Sequence, residues 1–179
     1  DRIMPFLLKD SNALPQVDGA ETVLLVPCRF CPAASLAVKE KKPYIELFRR
    51  FLRTGAFESY VKSLKRRIED QGSKTVVFDS KLPHQMTACM WTSRRRAALA
   101  RRAARFEAAV VLGCDAMVEA VSEALASTGC RVVQGMEIEG LMNVLPTVSF
   151  PLNISLELNG VADVDTKNLG GRDEVRAAG

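Results

Sequence analysis

The sequence predicts an α/β domain built on a three-layer open sheet of about four parallel strands, with helices on both faces and an added edge or antiparallel strand. Two observations favour this class. Four short apolar runs recur along the chain, and segments with the apolar spacing of a helix separate them. Parallel strands need such long crossover connections, whereas antiparallel neighbours are joined by short turns.

Composition and charge exclude several classes of protein. The 179 residues are 47% apolar, which is enough to form one hydrophobic core, and 26% charged. Lys and Arg number 25 against 21 Asp and Glu, so the formal charge of +4 is too small to indicate nucleic-acid binding. No apolar run approaches the ~18 residues of a membrane-spanning helix, and no signal peptide is recognisable. We therefore expect a cytoplasmic protein with no membrane partner.

A single α/β domain is expected over residues 21–160. Residues 1–20 contain prolines and other breakers without a sustained period, which predicts an N-terminal arm. Residues 161–179 are polar and glycine-containing, which predicts a flexible C-terminal tail.

The first half of the domain begins with a strand at 22–26, a continuous apolar run of the kind that is buried on both faces of a parallel sheet. A helix is predicted over 43–55, because proline favours the first turn of a helix and glycine the position after its end. A second helix is predicted over 57–68, where apolar residues recur at helical spacing before Gly72.

Three more strands of the parallel sheet are predicted at 74–79, 108–112 and 131–134. Between them, a helix capped by Thr92 or Ser93 runs to about residue 105, and another spans 115–125. Residues 136–150 have no clear pattern. Alternation of polar and apolar residues at 153–158 predicts an antiparallel or edge strand that completes the sheet.

Four of the five cysteines follow the predicted parallel strands. Cys28 comes directly after the first strand and Cys31 one turn later, Cys89 lies in the connection after the second, and Cys114 follows the third. The carboxyl ends of parallel strands share one rim of the sheet, where open α/β sheets bind their ligands. We call these four residues the rim cysteines and expect them to share a crevice. Cys130 begins the fourth strand and belongs to the opposite rim.

The rim cysteines are candidate ligands for zinc or an iron–sulfur cluster, because both favour thiolates, and His84 is an alternative ligand. Two other interpretations stay open: reactive thiols without a metal, and burial as small apolar side chains. Cys31 and Cys114 precede or begin helices, whose dipoles are expected to lower the pKa of both thiols. No complete acid–base or nucleophile apparatus is recognisable, so a redox or metal-carrying role beside a larger protein is the favoured function.

The segment Cys28-Arg-Phe-Cys31-Pro32 resembles the redox motif of the thioredoxin and glutaredoxin families, which also follows a strand and opens a helix. Leu145-Pro146-Thr147 looks like the proline-threonine segment of the same families. The resemblance covers fewer than ten residues and implies thiol oxidoreductase chemistry at Cys28 and Cys31. Here two further βα units separate the two motifs, so the chain is not assigned to either family.

The turn at Gly113 and Asp115 is a candidate site for a small ligand or nucleotide. Glycine after a parallel strand permits a tight turn, and the first N–H groups of the next helix then face the rim. The sequence has neither of the common glycine-rich phosphate loops, so a close strand-to-helix turn is the simpler interpretation.

A basic stripe is predicted on the helix that begins near Ser93. At 100° per residue its arginines fall along one side, namely Arg94, Arg101 and Arg105, with Arg95 and Arg102 beside them. Such a stripe is either a solvated face or a docking surface for an acidic protein partner. Aromatic residues suited to base stacking are not interleaved, so nucleic-acid binding is not predicted.

Overall fold

The computed structural model describes residues 3–46, 53–79, 87–150 and 152–164. The strands are β1 (Phe6–Asp10), β2 (Thr22–Pro27), β3 (Ile45–Glu46), β4 (Lys74–Val77), β5 (Ala108–Leu112), β6 (Arg131–Gln134), β7 (Met136–Ser149) and β8 (Asn153–Ala162). The helices are α1 (Leu14–Val17), α2 (Cys31–Lys39), α3 (Gly55–Asp70), α4 (Ser93–Ala103) and α5 (Asp115–Leu125), and a 3-10 turn spans Ala88–Met90.

A parallel sheet forms the centre of the fold, in the order β4-β2-β5-β6. The middle strands β2 and β5 consist almost entirely of apolar residues, and every residue of β5 is buried. Such strands are stable only when both faces of the sheet are covered, which the helices provide. The predicted α/β fold and its four parallel strands are confirmed, although β4 ends at Val77 and α4 at Ala103, each two residues before its predicted end.

Alternate residues of the central strands enter two different cores. Val23 and Leu25 of β2 pack on one face of the sheet against α2, α3 and strands of the second sheet. Leu24 and Val26 pack on the other face against α4 and α5. Successive side chains of a strand point to opposite faces of the sheet. Each central strand therefore packs against the layers on both faces.

The second sheet is antiparallel, in the order β1-β7-β8-β3. The antiparallel strand predicted at 153–158 is confirmed as β8, but the expectation that it completes the parallel sheet is wrong, because β8 forms a long hairpin with β7 in this second sheet. Strand β7 was not predicted over 136–150, and β1 lies within the expected arm, where it pairs with β7. The limits of the domain at 21 and 160 stay predictions.

The predicted helix over 43–55 is wrong at both ends, and residues 47–52 between them lie outside the described residues. Ile45 and Glu46 form β3 and pair with β8, and the amide of Tyr44 donates to the carbonyl of Ile154 at 2.7 Å. Gly55 is the first residue of α3 and does not end a helix. Pairing with β8 satisfies backbone groups that the sequence assigned to a helical turn.

Candidate cysteine site

The rim cysteines surround the point where the parallel sheet changes winding direction. The connection from β2 to β4 carries α2 and α3 on one face, whereas the connection from β5 to β6 carries α5 on the other. In the sheet order β4-β2-β5-β6, the crossover from β2 runs toward the β4 edge and the crossover from β5 runs toward the β6 edge. The switch point therefore lies between β2 and β5. Cys28 directly follows β2, and Cys114 lies two residues beyond the end of β5. Open α/β sheets hold their ligands in the crevice at this switch point.

Backbone hydrogen bonds bring three chain segments to Cys28. Its amide donates to the carbonyl of Leu112 at 2.9 Å, which joins it to the turn that carries Cys114. Its sulfur accepts a hydrogen bond from the amide of Ala88 at 3.5 Å, and Cys89 is the next residue. The loop after β2, the loop after β5 and the 3-10 turn therefore meet at one thiol.

Strand β1 closes the site beside Cys31, which is the first residue of α2. The hydroxyl of Ser35, one turn along α2, has its single proton within reach of the carbonyls of Cys31 at 2.8 Å and Phe6 at 3.1 Å, and it accepts a hydrogen bond from the amide of Leu8 at 2.9 Å. The backbone of Phe6 also donates to the Cys31 thiol. A segment that the sequence predicted as an arm thus supplies part of the site.

Besides burial, charge repulsion from the other rim cysteines contributes to raising the pKa values of Cys28 and Cys31, so the four thiols lie near one another. Burial is the largest cause that raises the pKa of the Cys28 thiol. Hydrogen bonds from the backbone of Ala88 and Phe30 lower this pKa, but by less. Burial likewise raises the pKa of Cys31 to about 12, so the expected lowering by the helix N-terminus is wrong for this thiol. Both sulfurs therefore receive backbone donors and are nevertheless protonated at neutral pH.

Exposure increases across the site from Cys28 to Cys89. Cys28 is 5% exposed, Cys31 and Cys114 are half-buried, and Cys89 is exposed on the 3-10 turn. Cys130 is 7% exposed and lies just before β6, at the opposite rim. All five cysteines are free thiols. The group is thus anchored in the core and open to solvent on one side.

Among the described residues, the potential ligands are not grouped as the site of a single metal ion requires. Within residues 3–46, 53–79, 87–150 and 152–164, no three His, Cys, Asp or Glu side chains are grouped closely enough to hold one metal ion. A tetrahedral zinc ion needs each sulfur at about 2.3 Å, which brings its ligands nearly into contact. His84, the alternative ligand, lies outside the described residues.

Gly113 and Asp115 lie at the turn as expected, but their surroundings favour a structural role. A Cβ at Gly113 would collide with the side chain of Met117, so glycine here permits close packing of α5 on the strand end. The carboxylate of Asp115 accepts a hydrogen bond from the side-chain amide of Gln134 at 2.7 Å. Both residues are thus engaged within the protein.

A charged network that the sequence did not reveal lies beside the rim cysteines. Arg29, inside the Cys-x-x-Cys motif, places Nε 2.6 Å from Glu58 and a terminal nitrogen 3.1 Å from Asp79. Arg53 also approaches both carboxylates, at 3.6 Å and 3.2 Å. The four residues come from separate segments of the chain, so no local pattern signals the network.

The basic stripe is divided by packing. Arg94, Arg101, Arg102 and Arg105 are exposed, whereas Arg95 is half-buried. The Arg95 guanidinium lies 4.0 Å from the centre of the Phe78 ring and donates to the carbonyl of Asp79 at 3.0 Å. Arg95 therefore holds α4 to the end of β4 and is removed from the predicted docking surface.

The proline-threonine segment of the thioredoxin resemblance has a different setting here. Leu145, Pro146 and Thr147 lie within β7 and pair with β8 in the antiparallel sheet. The resemblance is thus restricted to the Cys-x-x-Cys loop and the helix after it.

Comparisons with protein-family models, with curated proteins and with solved structures found no match to this chain. In the part of the chain that the structure describes, no helix is long and apolar enough to cross a membrane.

Proposed function

We propose that the rim cysteines bind an iron–sulfur cluster and that the chain acts as a redox or cluster-carrying subunit beside a larger protein. The observation that carries this proposal is the meeting of three segments at Cys28, through its bonds to Leu112 and Ala88. Each segment brings a further cysteine toward the switch point of the sheet.

Thiolate ligands suit both zinc and iron–sulfur clusters. Among the described residues, no three His, Cys, Asp or Glu side chains are grouped closely enough for one metal ion, which disfavours zinc here. Cysteines that hold a cluster surround an inorganic core of iron and sulfide and do not converge on one ion. The proposed ligand is therefore a cluster.

Hydrogen bonds and burial support a ligand role for the two motif cysteines. Backbone donors reach the sulfurs of Cys28 and Cys31, and such donors stabilise thiolates and tune cluster potentials. Without a cation, burial keeps the same thiols protonated, because a low-dielectric environment disfavours an isolated negative charge. Bound iron would replace the protons and offset the charge of the thiolates.

The exposed side of the site is where an electron or a cluster would pass to a partner. Cys89 is exposed there, and the neighbouring Met90 is 64% exposed. Helix α4 starts three residues after Met90 and carries the exposed Arg94, Arg101 and Arg102, and the exposed Arg105 follows its end. These features fit an acidic protein partner, and a cytoplasmic location suits free thiols.

The alternatives are weaker on the same geometry. A thiol oxidoreductase needs an ionised attacking thiol, whereas burial raises the pKa of Cys28 and brings that of Cys31 to about 12. Binding of a nucleotide at Gly113 and Asp115 has little support, because Met117 occupies the space beside the glycine.

Anaerobic reconstitution of the full chain with ferrous iron and sulfide tests the proposal. We expect stoichiometric iron and sulfide, with the broad visible absorption of a cluster. Cys89→Ser, at an exposed position, should lose or alter the cluster without unfolding the protein, whereas Cys130→Ser should keep it. Equal iron content together with identical visible spectra in the two variants contradicts the proposal. A metal-free chain with a Cys28–Cys31 disulfide would favour the oxidoreductase instead.

A further inference from the structure

A cavity of about 410 Å³ opens on the same rim, with Arg29 and Asp79, two residues after β4, in its lining. Helix α3 forms one wall, and the end of β4 forms another. This volume lies within the range of small-molecule sites, which extends from roughly 300 to 1,000 Å³. The cavity is separate from the proposed cluster, and its occupation does not depend on iron.

The acidic residues of the cavity are already neutralised. Arg29, whose side chain is 6% exposed, contacts Glu58 and Asp79 at once. Arg53 contacts the same two carboxylates from its own side. Two guanidinium groups therefore balance two carboxylates, and the remaining charge of the lining comes from lysines.

The lysines lie along the cavity face of α3. Lys62 follows Glu58 by one helical turn, is exposed, and has no partner among the described residues. Lys65 pairs with Glu69, one turn further along the helix. Because residues three and four apart share a helix face, Glu58, Lys62 and Lys65 face the same space. The uncompensated charge of Lys62 makes the mouth of the cavity positive.

Apolar side chains complete the lining. Val61, which is 4% exposed, and Val77 at the end of β4 both border the cavity. Small-molecule sites combine such an apolar surface with a few charged groups that fix the orientation of the ligand. We propose that this cavity binds a small organic anion, a carboxylate or phosphate ester, with its charged group on Lys62 and its carbon body against Val61 and Val77.

Titration of the full chain followed by amide NMR tests this site with two probes. Glutarate represents carboxylates, and glycerol phosphate represents phosphate esters. We expect saturable shifts at the amides of α3 and of Arg29 with at least one probe. The stronger probe identifies the anion class. Glutaramide, the neutral analogue of glutarate, should bind far more weakly.

Two single variants separate the site from general charge effects. Lys62→Gln should weaken binding by about fivefold, the effect of one ion pair near the surface. Lys74→Gln removes an exposed lysine at the start of β4 and should leave binding unchanged. Saturable binding that Lys62→Gln does not weaken, equal binding of glutaramide, or no saturable binding at tens of millimolar overturns the proposal. None of these outcomes depends on the cluster.

Discussion

The amide of Ala88 donates to the sulfur of Cys28 at 3.5 Å, across a separation of 60 residues. The bond joins the turn that carries Cys89, in the connection between β4 and α4, to the loop after β2 that leads to Cys31. The cluster proposal depends on this contact, because it links the turn to the motif directly.

Removing this donor is expected to change the redox property of the site. Ala88→Pro deletes the amide hydrogen, and the extended backbone of Thr87 (φ −103°, ψ 113°) tolerates a following proline. Because donors to sulfur stabilise the reduced, more negative cluster, the reduction potential should fall. Protein-film voltammetry measures it. Ala88→Gly keeps the amide hydrogen and serves as the control, and equal potentials in the two variants would contradict the role of this bond.

The Arg29 network is expected to contribute strongly to stability. Arg29→Met leaves Glu58 and Asp79 with one guanidinium between them, and breaking a largely buried pair costs about 3 kcal/mol. Urea unfolding of the metal-free chain should show a lower midpoint with an unchanged slope. Arg105→Met removes an exposed arginine and should cost less than about 0.5 kcal/mol. A similar loss in both variants would refute the network's contribution.

Thiol reactivity in the metal-free, reduced chain should follow exposure and pKa. Cys89 is exposed and should be alkylated first, whereas Cys31, with a pKa of about 12, should react slowly at neutral pH. Peptide mapping by mass spectrometry after timed alkylation measures both rates. Denatured protein provides the control in which the rates converge. Equal rates in the folded chain would contradict the burial of Cys31.

The same thiol predicts how stability depends on pH. The pKa of the Cys31 thiol is 9.0 in the unfolded chain and about 12 in the folded chain. Between these pH values the folded chain keeps the thiol proton, whereas the unfolded chain releases it. The contribution of Cys31 to stability is complete below pH 9.0 and is lost as the pH rises toward 12. Urea unfolding across this interval, compared with Cys31→Ala, should show a smaller alkaline loss in the variant. An identical loss in both would assign the effect to other groups.

Close packing at Gly113 gives a prediction that distinguishes a structural turn from a ligand site. Gly113→Ala places a methyl group against Met117 and should cost about 1–3 kcal/mol. Met117→Ala removes the obstructing atoms, so the double variant should lose less than the sum of the two single losses. Thermal or urea unfolding completes this cycle. Strict additivity would show that the two side chains do not compete for the same space.

The central strands could be predicted because their burial is encoded locally. Thr22–Pro27 and Ala108–Leu112 are continuous apolar runs, and continuous runs suit strands covered on both faces. Strand β7 was missed because Gly140 and Pro146 interrupt an otherwise alternating segment, and both residue types weaken a strand assignment. In β7 the partners β1 and β8 stabilise the segment, and the register of those pairs is not visible in any one window of sequence.

Some residues of the site could likewise be predicted from the local sequence, whereas others depend on contacts between distant segments. The rim cysteines come after predicted parallel strands in the sequence. Their place on one rim could therefore be predicted from the parallel order of the sheet. The contribution of Phe6, and the contact of Arg29 with Glu58 and Asp79, depend on which segments the fold brings together. Burial around Cys31 raises the pKa of its thiol despite the hydrogen bond from the backbone of Phe6, and the extent of that burial depends on segments distant in sequence.

Iron X-ray absorption spectroscopy of the anaerobically reconstituted chain tests the central claim most directly, because it reports the atoms bound to the metal. We expect a first shell of sulfur only, with an iron–iron distance at longer range, in the wild-type chain and in Cys130→Ser. Cys89→Ser should lose the iron–iron signal or replace one sulfur ligand by oxygen. A first shell of nitrogen and oxygen without an iron–iron signal in the wild-type chain would contradict the cluster.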